Sequence, residues 1–152
     1  MDTDQLERVM QSDSKVAPGF LGVYARDEIK EMKVPGRRPI SIIVNTDPGS
    51  KPGMHWVCMY LDNANEGTYF DSYGRAPSHD DFYSFMSRNG ARWVVSNRAL
   101  QHKNSDSCGR YCAYYLKLRH RAIPHRKIMS RFGKHSKCND LLVDCRYDMN
   151  VF

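Results

Sequence analysis

The sequence predicts an α+β domain, a mixed central sheet packed by helices. Three observations carry this. Four runs rich in β-branched and aromatic residues, ISIIVN, HWVCMYLD, TYFDSYG and RWVVSN, follow one another between Ile40 and Asn97. The middle two are joined by NANEG, a connection of hairpin length. Beyond Asn97 the period changes: Cys112, Tyr115, Leu116 and Arg119 recur at three and four residues, the spacing of a helix. Strands grouped together and followed by helices distinguish this plan from a βαβ repeat.

Along the chain, Asp2 or Thr3 caps a short helix whose apolar residues are Leu6, Val9 and Met10. Pro18 and Gly19 end it. GFLGVYARDEI then reads as a loop leading into a second short helix, and VPGRRP as a turn. Ile40 to Asn45 is a buried strand, because the run is apolar and bounded by turn formers. TDPGSKPG, with two Pro and two Gly, is an exposed loop ahead of the hairpin. Ser105, Asp106 or Ser107 supplies the N-cap of the main helix, Pro124 ends it, and a shorter helix runs from His125 to Phe132.

The 152 residues form one domain, 1–152, long enough to bury a core. Arg and Lys interrupt every apolar stretch, so no membrane span is expected, and MDTDQLERVM lacks the basic-then-apolar layout of a signal peptide. Five cysteines, an odd number, fit reduced thiols in cytosol or nucleus. The net charge is +6, and the nine Lys and Arg between Cys108 and Asn139 meet no acid, whereas seven acids lie in the first 31 residues. That asymmetry suggests a polyanion-facing surface, with Arg119, Arg121, Arg126, Lys127 and Arg131 as the nucleic-acid contacts. The plainer reading is a solvated basic face without a partner.

The residues that carry chemistry stand in a four-part order: His55 with Trp56, Asp71, Gln101, then Cys108 with Gly109. A thiol protease needs a nucleophile, a base, a group that orients the base and a donor for the oxyanion. Cys108 sits at a helix N-terminus, where backbone N–H groups and the dipole favour a thiolate. Gly109 leaves room for a substrate backbone. His55 begins a strand after a Gly/Pro-rich loop and serves as base. Asp71 returns beside it across the hairpin and accepts from the imidazole Nδ1–H. Gln101, in the loop before the helix, donates to the oxyanion with the Cys108 N–H. Trp56 forms an apolar lid that admits only residues with little side chain, so cleavage next to glycine is expected. Each residue alone has a plainer reading: a buried thiol, a surface histidine, a turn-capping aspartate, a loop glutamine, a core tryptophan. The other five histidines are read as structural. A zinc site from Cys108, Cys112, Cys138, Cys145 and His135 fits the spacing of known zinc sites poorly, so no metal is expected.

With these residues in place the chain resembles the adenain family, the adenovirus-type cysteine proteases, in the clan shared with SUMO-deconjugating proteases. FLGVY (Phe20 to Tyr24), IIVNTDPGSKPGMHW (Ile42 to Trp56), YFDSYG (Tyr69 to Gly74) and LQHKNSDSCGRYCAYYL (Leu100 to Leu116) carry the likeness. The resemblance implies a papain-like architecture with His55, Asp71, Cys108 and Gln101 in the roles above. It also implies cleavage at Gly-X-Gly or Gly-Gly-X sites in virion precursor polypeptides, in the host nucleus and the virion. Asp71 stands where adenovirus enzymes carry Glu. The family uses DNA and a viral activating peptide as cofactors. That peptide is held by a disulfide to a cysteine upstream of the Gln, and no Cys lies between Asp71 and Gln101 here, so the disulfide-linked form is not expected. The last thirty residues match nothing in the family. A monomer is expected. The competing readings are a protease that processes a ubiquitin-like modifier and a nucleic-acid-binding protein on an inactive protease fold.

Overall fold

The computed structural model describes residues 1–147. Helix α1 (Thr3–Gln11) begins with a capping box, Asp2 accepting from the Gln5 N–H while the Gln5 side chain returns to the Asp2 N–H, and it buries Leu6 and Met10. Strand β1 (Phe20–Ala25), a 3-10 turn (Arg26–Ile29), β2 (Ile40–Asn45), β3 (Trp56–Leu61) and β4 (Glu66–Phe70) follow. Helix α2 (Asp80–Arg88), β5 (Arg92–Val95), α3 (Cys108–Arg119), α4 (His125–Met129) and α5 (Ser136–Tyr147) complete the order.

The five strands lie in the order β1-β2-β3-β4-β5, parallel at both outer pairs and antiparallel at the two inner ones. This is the expected mixed sheet. It is covered on both faces, which is why its central strands read as continuous apolar runs. One face, with Ile43, Cys58, Tyr60 and Phe70, packs on α1 and α3; the other, with Ile42, Val44, Val57, Met59 and Tyr69, packs on Phe82, Phe85 and Met86 of α2. Phe70 stacks on Tyr115 with centroids 4.2 Å apart, fastening β4 to α3. Helix α3 is buried from Cys108 to Leu118 except at the half-buried Arg110, clamped between the sheet and α5.

Three local expectations are corrected. FLGVYA is strand β1, not a loop: it pairs in parallel with β2, with a bulge between Phe20 and Gly22 and a positive φ of 142° at Gly22. Ser107 holds the cap position of α3 but makes no side-chain cap bond, its hydroxyl donating to Asp144 Oδ1 instead (3.0 Å). The helix after Pro124 stops at Met129, short of Phe132. Among the described residues no helix is long and apolar enough to cross a membrane, and no three His, Cys, Asp or Glu gather as metal ligands.

Candidate active site

The register of the β3–β4 hairpin decides which residues meet. Cys58 lies opposite Phe70, so the residue just before β3 and the one just after β4 finish at the same end of the sheet. Those residues are His55 and Asp71. The imidazole Nε2 donates to Asp71 Oδ1 at 2.7 Å, with the side chains 13% and 5% exposed. The sequence leads to Nδ1 in this role, and the structure puts Nε2 there. With Nε2 taken by the acid, Nδ1 is the ring nitrogen left for Cys108, which lines the same cleft.

The N-terminus of α3 brings Cys108 to this point, 9% exposed. Burial alone would raise its pKa. The hydrogen bond from His55, the N–H groups of Trp56 and Gly109 and the imidazolium charge outweigh burial and draw the thiol below its ordinary value. His55 moves the opposite way: burial lowers it, but Asp71 and Cys108 raise it to about 9. Opposed shifts in a neighbouring thiol and imidazole favour a thiolate–imidazolium pair.

Gln101 is buried beside Cys108 on the wall of one cleft of about 590 Å³, which His55, Trp56, Tyr73, Ser105 and Asp106 also line. The structure thus gathers His55, Asp71, Gln101 and Cys108 at one place. Trp56 lines the same cleft, and its indole N–H donates to the Met1 carbonyl at 3.0 Å. Gly109 is placed otherwise than expected. A Cβ there would lie 3.2 Å from Met1 Cβ and 3.4 Å from Leu6, so the missing side chain makes room for α1.

Two neighbours escaped the sequence reading. Tyr73 donates its N–H to Asp71 Oδ1 (2.8 Å) and lays its ring 4.9 Å from that of His55. Ser72 donates to Gln101 Oε1 (2.6 Å). Both stand in the quoted YFDSYG stretch, next to the candidate acid, and that adjacency was the available signal.

The basic stretch is less uniform than its sequence. Arg119 lies over the Tyr60 ring (4.5 Å), Arg121 pairs with buried Asp13 (3.0 Å) and Arg131 donates to the Tyr114 hydroxyl (3.3 Å). Arg126 and Lys127 are exposed on α4. Among the other histidines, His79 caps α2, His120 bonds Ser41 and His125 bonds Tyr115.

No family model matches the chain. Over 86 residues, 51% of its length, it is 30% identical to Putative thiol protease R355 of Acanthamoeba polyphaga mimivirus, and spans 28% of that protein. The crystal structure of the ASFV pS273R protease superposes with a TM-score of 0.69 at 16% identity, over 91% of this chain and 63% of that one. A selenomethionine structure of the same protease gives 0.60 at 15%, over 94% and 66%. The cysteine-protease architecture expected from the sequence is therefore the observed fold.

Proposed function

We propose that this chain is a cysteine endopeptidase that cleaves next to glycine. The observation that carries the reading is the 2.7 Å His55–Asp71 bond at the wall of a cleft that His55 and Cys108 line together. In this scheme the Cys108 thiolate adds to the scissile carbonyl carbon and the π pair moves to the oxygen. Gln101 and the Cys108 N–H receive that oxyanion. The imidazolium proton passes to the leaving amine as the C–N bond breaks, leaving a thioester. His55, now neutral, takes a proton from the water that attacks the thioester, and the acid product and the thiolate are released. Asp71 orients the ring throughout. The thiol-protease relative and the protease fold support the same class of chemistry.

Trp56 beside the nucleophile supports glycine at the scissile bond, since an indole wall tolerates little side chain. The resemblance of the motif stretches to the adenain family supports virion precursors as substrates, with the host nucleus and virion as the place of action. DNA contact is assigned to the exposed Arg126 and Lys127, with Arg131 beside them. The site is equally suited to trimming a ubiquitin-like modifier after Gly-Gly, because both tasks present a side-chain-free scissile segment to Trp56.

A glycine-directed vinyl-sulfone peptide tests the reading. Labelling of the wild type and none of Cys108→Ala is expected; no labelling, or equal labelling of both, removes the peptidase reading. A peptide library screened with and without DNA then separates the substrates, and processing restricted to a ubiquitin-like precursor assigns the second reading.

A further inference from the structure

We propose that Ser72 is the positioning residue that holds the Gln101 amide as an oxyanion donor; this rests on the peptidase reading above. Ser72 follows the candidate acid on the turn leaving β4 and is fully buried. Its hydroxyl donates to Gln101 Oε1 at 2.6 Å, and its carbonyl accepts the N–H groups of Leu100 (2.8 Å) and Gln101 (3.1 Å). At the other end of the amide, Gln101 Nε2 donates to the Ser105 carbonyl at 2.9 Å.

A primary amide carries one acceptor oxygen and two N–H donors in nearly the same outline, so its chemical sense is set by its partners. The Ser105 carbonyl only accepts, which fixes the nitrogen at that end. Ser72 donates to the oxygen at the other. One N–H is used on Ser105, and the second is the donor left for the cleft that Gln101 and Cys108 line. Without the Ser72 hydroxyl a buried amide oxygen lacks a donor, and the side chain gains by rotating to find one. The turn 71–73 thus sets three things at once: Asp71 against His55, the Tyr73 N–H against Asp71, and Ser72 against Gln101.

Two reagents that share the nucleophile and differ in the oxyanion test this. A peptidyl aldehyde ending in Gly-glycinal forms a hemithioacetal: sulfur bonds to the carbonyl carbon, the π pair moves to oxygen, and the His55 proton is available to it. Iodoacetamide alkylates the Cys108 sulfur, an S–C bond forming at its methylene carbon as iodide leaves, and develops no oxyanion. Ser72→Ala is expected to weaken aldehyde inhibition and lower kcat by about tenfold, part of the roughly 10²–10³ lost when an oxyanion donor is removed outright. KM and the iodoacetamide rate at Cys108 stay within about twofold, because neither depends on the oxyanion. In a Gln101→Ala background the same substitution adds no further loss. Wild-type aldehyde affinity in Ser72→Ala, a parallel fall in alkylation, or full additivity with Gln101→Ala overturns the proposal. A wild type that neither binds the aldehyde nor alkylates at Cys108 instead overturns the peptidase reading itself.

Discussion

His55 donates through Nε2 to Asp71 Oδ1 at 2.7 Å, and the same oxygen takes the Tyr73 N–H at 2.8 Å. The backbone bond fixes the carboxylate independently of the imidazole, and the imidazole then has one orientation in which to meet it. With Nε2 held by the acid, Nδ1 is the nitrogen left to serve the thiol. That leaves the ring free to hold a proton between them, and the pH behaviour follows from it.

A thiolate–imidazolium pair is expected between the Cys108 pKa, drawn below its ordinary range, and the His55 pKa, raised to about 9. kcat/KM on a glycine peptide should rise through the acid limb as Cys108 ionises and fall again near pH 9 as His55 loses its proton. Stability carries the matching sign. His55 has a higher pKa folded than its ordinary 6.5, so its contribution is complete below pH 6.5 and is lost as pH rises to about 9. A pH–rate profile checks the first statement, and urea midpoints of wild type and His55→Ala across that window check the second.

Asp71→Asn keeps the shape and removes the charge that helps raise His55. The alkaline limb is expected to move to lower pH. kcat should fall on the order of 10²–10⁴, the upper end being the cost of the comparable change in a serine triad. The measurement is the pH dependence of kcat/KM in both proteins; an unmoved alkaline limb would show that Asp71 does not hold up the imidazolium.

What the sequence showed and hid follows from where each signal lies. Strands β2 to β4 were legible because a covered sheet makes unbroken apolar runs between turn formers. β1 was not, since its partner β2 lies beyond a long connection and Gly22 in a positive-φ bulge looks locally like a loop. α2 carried a usable signal in Phe82, Phe85 and Met86 at helical spacing, but His79 is an unusual cap: its Nδ1 accepts the Asp81 N–H. α5 had no such stripe, because Asn139 and Asp140 are buried alongside Val143. At the site, residue types and order pointed to His55, Asp71, Gln101 and Cys108. Which imidazole nitrogen faces the acid, and what Ser72 holds, depend on side-chain directions that no spacing encodes.

Gly67→Ala is expected to destabilise the fold without touching the site. An added Cβ would fall 2.4 Å from Cε3 of Trp93, and that ring cannot easily retreat, because its N–H is shared by the carbonyls of Met86 and Asn89. The cost should be about 1–3 kcal/mol, the usual range for overpacking. Urea denaturation reads it, while the alkylation rate of Cys108 at low temperature stays at the wild-type value.

The basic stretch divides into cations that serve the fold and cations that face solvent, and alanine substitutions separate them. Arg126 and Lys127 are exposed, so losing each should weaken DNA binding across all sequences and reduce the salt slope by about one. Arg121 bonds the Lys117 carbonyl and pairs with Asp13, whose side chain is 2% exposed. Its removal takes the ion-pair partner from a buried carboxylate that keeps only the Lys15 N–H at 2.9 Å and the charge of Lys117, so Arg121→Ala should cost stability, about 1–3 kcal/mol, more than it costs DNA affinity. Fluorescence anisotropy on a labelled duplex between 50 and ~200 mM salt, paired with urea midpoints, reads both. A flat salt response in the wild type would mean that the basic face has no polyanion partner, and equal behaviour of Arg121→Ala and Arg126→Ala would mean that the division is wrong.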